Sequence, residues 1–224
     1  MTSISIFKKK WKTSTGAPIL VVLLFFLLCP VSTAQEFRGG LKGGMTASEV
    51  SGDHLASPDK IGYFAAAFTN YPISRYESIQ FEVMYIHKGS RSWPDETNDY
   101  FDYRFALQYV ELPVLFVQDL SRYTSLNYLE NILAYSGLSA SFLVDHQETE
   151  GLSPIPDEKR ENYHGIELNF LVGLSYPMTE TLFVNLGYSN SLTPVRPHAS
   201  GNTTWYNYGQ YNSVWSLGLS YYIW

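Results

Sequence analysis

Apolar and polar residues alternate along most of the chain with a period of two. The pattern is clearest between residues 79 and 88, where Ile79, Phe81, Val83 and Tyr85 lie opposite Gln80, Glu82, Met84 and Lys88. Successive side chains of a strand point to opposite faces, so this period predicts strands. No segment carries a sustained apolar period of 3.6 residues, and helix is therefore expected to be at most a minor part.

The same alternation predicts eight strands. They are expected at residues 37–46, 61–71, 79–88, about 101–117, about 128–144, 166–176, 182–190 and 214–223. Pro113 predicts a bulge or a missing ladder bond in the fourth strand. The connections after strands one, three, five and seven are long and polar, whereas those after strands two and six are tight turns. This asymmetry is typical of outer-membrane barrels, in which long extracellular loops alternate with short periplasmic turns.

Alternation alone fits two opposite barrels. A soluble lipocalin-like barrel has its apolar residues inside, and a membrane barrel has them outside against lipid. The positions opposite the apolar face are mostly small and uncharged, as in Gly173, Ser175, Asn185, Gly187 and Ser189. Small residues suit the crowded lumen of a small barrel. The prediction is therefore an all-β fold, an eight-stranded antiparallel up-and-down transmembrane β-barrel with a side-chain-filled lumen. The alternative is a periplasmic lipocalin-like barrel that binds a small ligand.

Five charged residues remain on the polar faces of the predicted strands. They are Arg38, Lys42, Glu82, Glu111 and Glu167. We expect them to form a structural charge cluster in the lumen, because each would cost several kcal/mol if it were buried without a partner. Aromatic residues near the strand ends are expected to form the two interfacial girdles. These residues are Tyr63, Tyr71, Tyr76, Tyr85, Tyr176, Tyr188, Trp215 and Tyr221.

Composition narrows the class of protein further. The chain of 224 residues is 45% hydrophobic and 16% aromatic but only 16% charged, against roughly 25% charged in an average soluble domain. With 15 basic and 21 acidic residues it has no electrostatic footprint for nucleic acid. A mean hydropathy of -0.12 excludes a polytopic helical membrane protein.

The first 34 residues have the features of a secretory signal peptide. Basic residues Lys8, Lys9, Lys10 and Lys12 precede an apolar run over 19–29, and small residues end at Ala34. Cleavage is predicted after Ala34, which leaves a barrel domain at 35–224. The alternative, an uncleaved membrane anchor, is disfavoured because Pro30 ends an apolar core that is short for a span. Cleavage removes four lysines and the only cysteine, so the exported chain has 11 basic and 21 acidic residues and no disulfide.

The sequence offers little catalytic chemistry. Two Asp–His dipeptides, Asp53–His54 and Asp145–His146, fall in predicted extracellular loops, where some outer-membrane hydrolases hold Asp/His pairs that activate water. Adjacent strand residues point to opposite faces, and no nucleophile converges on either dipeptide. The chain is therefore expected not to be an enzyme and to need no cofactor. A membrane-embedded hydrolase is the less favoured alternative.

Metal-ligand patterns are also weak. His87, His164 and His198 have no ligand spacing and are expected to be rim residues. Four acids follow one another in the loop after the third strand, namely Asp95, Glu96, Asp99 and Asp102. They lack the glycine turn and terminal glutamate of a calcium loop, so a solvated charged loop is expected.

Several segments resemble one known family. They are Gly40-Leu-Lys-Gly-Gly44, Ile79-Gln-Phe-Glu-Val-Met-Tyr-Ile-His-Lys-Gly89, Tyr109-Val-Glu-Leu-Pro113, Leu168-Asn-Phe-Leu-Val-Gly-Leu-Ser-Tyr176 and Ser216-Leu-Gly-Leu-Ser-Tyr221. Together, and in this order, they are similar to the PorT-type outer-membrane β-barrel proteins of the Bacteroidetes. The resemblance implies an outer-membrane location and an eight-stranded barrel. For the family's namesake it also implies a part in type IX protein secretion, a role that is not extended to this chain.

The resemblance also bears on partners. Outer-membrane lipid is expected around the barrel, and the barrel-assembly machinery is expected to read the C-terminal strand. Ile223 stands where the family has its terminal aromatic residue, and the segment 119–130 is longer than the family's usual turn. The expected function is a structural or interaction role in the cell envelope, with an unidentified envelope or secretion partner and no nucleic acid.

Overall fold

The computed structural model describes residues 37–52, 59–123, 132–151, 153–154, 163–197 and 209–223. The strands are β1 (Arg38–Ser51), β2 (Lys60–Pro72), β3 (Glu77–Ser92), β4 (Tyr103–Asp119), β5 (Leu133–Glu150), β6 (Ser153–Pro154), β7 (Ile166–Pro177), β8 (Leu182–Ser191) and β9 (Tyr211–Tyr222). Single-turn 3-10 helices lie at Glu96–Asn98 and Leu120–Arg122. In the part of the chain described here, no helix has the length and apolar character needed to cross a membrane.

Eight long strands close into a ring. Each pairs antiparallel with its sequence neighbour among the long strands, β4 pairs with β5, and β9 returns to pair with β1. The two-residue strand β6 pairs only with the end of β5. Every long strand thus has two neighbours, which satisfies its backbone groups without water. The predicted eight-stranded, antiparallel, up-and-down barrel is confirmed.

Three strands are longer than the sequence pattern predicts. β1 continues to Ser51, β3 to Ser92 and β5 to Glu150, so the loops expected to begin near 48, 89 and 145 begin later. These extensions keep regular pairing, for example Arg91 with Arg104 and Leu107 with His146. The alternation of hydrophobicity fades there although the backbone pairing does not, because most side chains of these extensions are polar. The expected start of the fifth strand near 128 lies outside the described residues.

The strand that contains Pro113 has two irregularities, a gap in one ladder and a bulge, and they lie at different positions. Pro113 keeps regular pairing with Ser139 on β5, whereas the β3–β4 ladder is interrupted between Phe81 and Met84, opposite Pro113. A proline has no N–H to donate, which explains the missing ladder pairs. The bulge itself lies elsewhere, at the register shift between Gln108 and Tyr109. Of the two alternatives expected at Pro113, the missing ladder bond is confirmed and the bulge is not found there.

The two faces of the barrel wall differ sharply in chemistry. Apolar side chains point outward and form a belt, which includes Leu41, Met45, Phe81, Val83, Val114, Phe116, Leu138, Phe170, Leu174, Leu186, Leu217 and Leu219, all exposed. Most buried positions at the same levels are polar, including Thr46, Glu82, Glu111, Ser139, Ser141, Glu167, Asn169 and Asn185. An apolar surface of this extent is far larger than soluble monomers expose. The lipocalin-like alternative, with its apolar face inside, is wrong.

Aromatic residues border the belt on both sides. Tyr71, Tyr176 and Tyr221 are exposed near the end that carries the tight turns at 73–76 and 178–181. Toward the other end, the ring centroids of Tyr63 and Tyr85 lie 6.3 Å apart, and those of Tyr188 and Trp215 lie 4.9 Å apart. Rings at these two levels correspond to the girdles of a membrane barrel.

Glycines inside the lumen make room for larger side chains. A Cβ on Gly173 or Gly187 would collide with the phenol of Tyr135. Tyr135 packs with Leu115, Val117 and Leu171 in a small apolar cluster inside the barrel. A second, larger cluster lies toward the long-connection end and includes Phe64, Ile86, Phe105, Leu107 and Tyr109. The lumen is filled by such packing together with the polar residues described next.

Candidate functional site

An ion pair inside the barrel, toward the end with the tight turns, joins β1 to β3. Lys42 Nζ lies 3.2 Å from Glu82 Oε1, and the two side chains are 10% and 1% exposed. Gln80 donates a second hydrogen bond to Glu82 at 2.7 Å. The ammonium of Lys42 also lies 5.3 Å from the ring centroid of Tyr135, within range of a cation–π contact. We call Lys42 and Glu82 the lower pair.

The central cluster consists of Lys88, Glu111 and Glu167, from β3, β4 and β7. Lys88 Nζ lies 2.8 Å from Glu111 Oε2 and 3.0 Å from Glu167 Oε1, and all three side chains are buried to 1% exposure or less. The single ammonium of Lys88 thus forms ion pairs with two carboxylates that are buried from water. Such an arrangement is stable only if the other carboxylate lone pairs also find donors.

Uncharged side chains supply those donors. Ser139 and Ser141 donate to Glu111 at 2.6 and 2.9 Å. Asn212 donates to the second oxygen of Glu167 at 2.6 Å. Asn169 in turn donates to Ser141 at 2.9 Å, which fixes the orientation of that hydroxyl. The central cluster is therefore one connected network that joins β3, β4, β5, β7 and β9.

The structure divides the five charges expected to meet in the lumen. Lys42 and Glu82 form one group, and Glu111 and Glu167 belong to another. Arg38 joins neither group, because it is exposed at the turn end of the barrel, where it lines an open vestibule of about 910 Å³. The cation that holds Glu111 and Glu167 is Lys88, which was absent from the expected set. Its signal was in the sequence, because Lys88 shares the polar face of its strand with Glu82.

A third group, the mouth cluster, closes the long-connection end of the lumen. It consists of Arg196, Glu148, Tyr103, Tyr163 and Gln210. Arg196 Nη1 lies 3.2 Å from Glu148 Oε2, and Arg196 Nε donates to Gln210 at 2.5 Å. Tyr163 donates to Glu148 at 2.7 Å, and Tyr103 donates to the other oxygen of the same carboxylate. The hydroxyl of Tyr103 also accepts a hydrogen bond from Arg196 at 3.2 Å.

Aromatic packing and backbone pairing hold Arg196 in place. Its guanidinium carbon lies 4.4 Å from the ring centroid of Phe105. Its backbone forms an isolated bridge with Gln210, which is fully buried. Sequence reasoning missed this cluster because Arg196 lies outside any alternating segment. Glu148 was placed in a loop, whereas it lies inside β5.

Protonation of Glu148 controls the electrostatics of the mouth cluster. Burial by itself would raise the pKa of Glu148, but hydrogen bonds from Tyr103 and Tyr163 and the charge of Arg196 hold this pKa below its ordinary value of 4.5. A depressed folded-state pKa stabilises the cluster at pH values above the ordinary value. That stabilisation is lost as the pH falls through the lowered pKa.

We therefore expect the backbone at the mouth to loosen in acid. The amides of Val195 and Gln210, which bond to Gln210 O and Arg196 O, should lose protection from hydrogen exchange as the pH falls below 4.5. After correction for the intrinsic pH dependence of exchange, the effect should be absent in Glu148→Gln. Equal pH profiles for the two proteins would contradict the assignment.

The interior leaves almost no free space around these groups. Between the lower pair and the central cluster, the described residues enclose a cavity of about 30 Å³, lined by Lys42, Glu82 and Glu111 among others. That volume is about the share of one water molecule in the liquid. The lumen is therefore filled at mid-depth.

The residues weighed for catalysis do not converge. Asp145 and His146 lie within β5 rather than in a loop, and Asp145 accepts a hydrogen bond from Gln108 at 3.1 Å. The His146 ring packs 4.6 Å from the ring of Tyr163. Asp53 and His54 lie outside the described residues. Among the residues that are described, no group of three or more His, Cys, Asp or Glu side chains is arranged to hold a metal ion.

The other histidines contact neighbouring groups of the barrel. The His87 ring centroid lies 4.0 Å from that of Tyr63, on the outward face. His164 Nδ1 lies 2.7 Å from the carbonyl oxygen of Pro194. His198 lies outside the described residues. In the loop after β3, Asp102 lies 3.7 Å from Arg91.

One family model and several solved structures are similar to this chain. A family model described as "Outer membrane protein beta-barrel domain" matches residues 33–196. The chain is similar in fold to Neisserial surface protein A, with 15% identity, a TM-score of 0.47 and coverage of 82% of this chain and 96% of that one. For Ail of Yersinia pestis the values are 13%, 0.43, 84% and 99%. For the outer membrane protein AlkL they are 16%, 0.38, 87% and 94%. No curated protein matches the sequence.

Proposed function

The chain belongs to the outer membrane protein beta-barrel domain family, and from this premise we propose that it acts without catalysis, as a rigid scaffold that presents its extracellular loops to partners in the cell envelope. The barrel lies in the outer membrane, with its apolar belt against lipid. The tight turns face the periplasm and the long connections face outward, as in other barrels of this membrane.

The observation that carries the proposal is the filled lumen. Eight strands enclose a space that side chains can fill completely. Here the cavity of about 30 Å³ admits no solute larger than water. The mouth cluster also covers the extracellular end of the lumen, with Gln210 fully buried. Neither a diffusion pore nor a ligand cavity fits the filled middle of this lumen. The vestibule of about 910 Å³ is an open recess at the periplasmic end, so the surface outside the membrane is left as the functional part.

The lumen charges have a structural role in this proposal. Lys42 with Glu82, and Lys88 with Glu111 and Glu167, link strands that are far apart in sequence. Because each charge is buried and paired, the groups favour one register of the wall over its alternatives. Arg38 is exposed at the periplasmic mouth and does not take part.

Because its lumen is filled, the barrel is expected to conduct no ions. In planar lipid bilayers the folded barrel should show no sustained single-channel conductance, whereas an open porin in the same bilayers shows steady steps. Folding is verified on the same sample by the faster gel migration of the unboiled protein. Reproducible open steps from a sample that passes this check would contradict the scaffold role.

Export, assembly and pathway are the finer parts of the proposal. We propose that residues 1–34 are removed as a signal peptide, in which case N-terminal sequencing of the mature protein begins at Gln35. The proposed periplasmic partner during insertion is the barrel-assembly machinery, which reads the C-terminal strand. The resemblance to PorT-type barrels of the Bacteroidetes supports a search for secretion partners. Crosslinking in native membranes tests both ideas, and a profile without assembly or type IX components would contradict them.

A further inference from the structure

The extracellular connection between β3 and β4 exposes three aromatic rings. Trp93 is 51% exposed, Tyr100 66% and Phe101 43%. They lie beyond the outer girdle, because β3 continues to Ser92, well past His87, the last outward ring of that strand. Membrane anchoring therefore does not account for them. Exposed rings grouped in a water-facing loop mark an interaction surface.

The loop is held in one conformation by Asn98. Its side-chain amide donates to Ser92 Oγ at 2.8 Å, to Trp93 O at 2.7 Å and to Phe101 O at 3.1 Å. Its side-chain oxygen accepts the backbone N–H of Asp95 at 2.9 Å. A loop that is ordered before binding loses little conformational entropy when a partner arrives.

Two consecutive residues of the loop have a left-handed backbone conformation. Asp99 and Tyr100 both have positive φ, at 53° and 58°. This region is unfavourable for residues with a Cβ, and it is most unusual for an aromatic residue. The strain is maintained while Tyr100 remains 66% exposed, so no packing of its own ring offsets it.

The loop already binds one guanidinium group. The guanidinium carbon of Arg91 lies 3.4 Å from the ring centroid of Trp93, and Arg91 Nη2 lies 3.7 Å from Asp102 Oδ1. A ring on one side and a carboxylate beside it form the usual environment for an arginine. The same loop also exposes the rings of Tyr100 and Phe101 and the carboxylates of Glu96 and Asp99, and neither carboxylate forms a salt bridge among the described residues.

The surrounding charge favours a cationic partner. The connection 93–102 has four acidic residues and no basic one, and residues 145–150 of β5, which pair with the beginning of β4, have three acidic residues and no lysine or arginine. A surface of one sign attracts an oppositely charged partner over roughly a Debye length. We propose that the loop 93–102 binds a basic, arginine-containing segment of a partner protein, between Tyr100 and Phe101 and the carboxylates of Glu96 and Asp99. This inference rests on the scaffold role and names the chemistry of its partner.

The test uses the full barrel in lipid nanodiscs and fluorescent peptides as probes. A peptide of alternating Arg and Gly should bind, and a peptide of the same length made of Glu and Gly should not. Tyr100→Ser should weaken binding about threefold. Glu96→Gln together with Asp99→Asn should weaken it about fivefold. Raising the salt concentration should weaken binding to the original protein more than to this double variant.

Matched controls come from the periplasmic end. Tyr123 is 65% exposed, nearly the same as Tyr100, and Glu180 is an exposed carboxylate on the turn after β7. Tyr123→Ser and Glu180→Gln should bind the peptide as the original protein does. The folding of each variant is first checked by its faster gel migration without boiling. If Tyr100→Ser does not fold, Tyr100→Phe is used instead; this variant keeps the ring and should keep binding.

Three results would overturn the inference. They are the absence of binding by the Arg–Gly peptide, equal weakening by the periplasmic controls, and tighter binding of an uncharged oligosaccharide than of the peptide. None of them bears on the filled lumen, because the bilayer recording tests the scaffold role separately. A silent barrel that ignores the basic peptide would refute only the inference about the loop.

Discussion

Replacement of Lys88 by methionine is expected to lower the free energy of unfolding of the barrel by about 3–5 kcal/mol. The substitution keeps most of the side-chain volume but removes the ammonium that contacts both Glu111 and Glu167. Both carboxylates are at most 1% exposed, so each would stay charged in a dry environment or take up a proton. Urea titration of the barrel in lipid vesicles, followed by tryptophan fluorescence, measures the loss.

Two further variants separate loss of charge from loss of packing. Lys42→Met should cost less than Lys88→Met, because Lys42 contacts a single carboxylate and Glu82 keeps its hydrogen bond from Gln80. Adding Glu111→Gln and Glu167→Gln to Lys88→Met should recover a large part of the stability, since no unpaired buried charge remains. A triple variant as unstable as Lys88→Met alone would show that packing, not charge, is responsible.

Replacement of Val83 by arginine is expected to lower the free energy of unfolding by about 2–4 kcal/mol. Val83 lies on β3, as Lys88 does, but its side chain is on the outward face of the strand. Val83 is 59% exposed on the outward wall, midway between the ends of the apolar belt on β3. In a soluble barrel an exposed valine could be replaced by arginine at little cost. In the outer membrane the guanidinium would lie in hydrocarbon and would have to reach either interface.

Ile73 provides the control for depth. It is 55% exposed, similar to Val83, but it lies in the periplasmic turn after β2. Ile73→Arg should cost at most about 1 kcal/mol, because the charge remains near the interface. The same urea titrations in vesicles compare the two variants. Equal costs at both positions would be inconsistent with a lipid-facing belt at Val83.

The sequence pattern predicted the wall of the barrel well and its rim less well. From Leu41 to Leu219, side chains expected against lipid are exposed and apolar, since lipid on one face and lumen on the other impose a strict period of two. Above the membrane that constraint ends. Asp145, His146 and Glu148 therefore looked like loop residues, although backbone pairing continues to Glu150.

The lumen charges show a similar division. Lys42, Glu82, Glu111 and Glu167 were expected to face inward, and they do. Their grouping did not follow from the pattern, because Arg38 lies at the periplasmic mouth while Lys88 holds two carboxylates. Arg196 carried no periodic signal, yet it binds Glu148 at the extracellular mouth.

The sequence by itself determined which side of each strand faces lipid. Alternation divides each strand into two faces, and the small, uncharged residues opposite the apolar face suit a crowded lumen. Only the tertiary structure decided which inward residues meet. Ring closure sets the register of all eight strands at once, and this register places Glu111 of β4 and Glu167 of β7 at the same ammonium of β3. Contacts across the lumen depend on this register and on the tilt of the strands, and neither is determined by the sequence of a single strand.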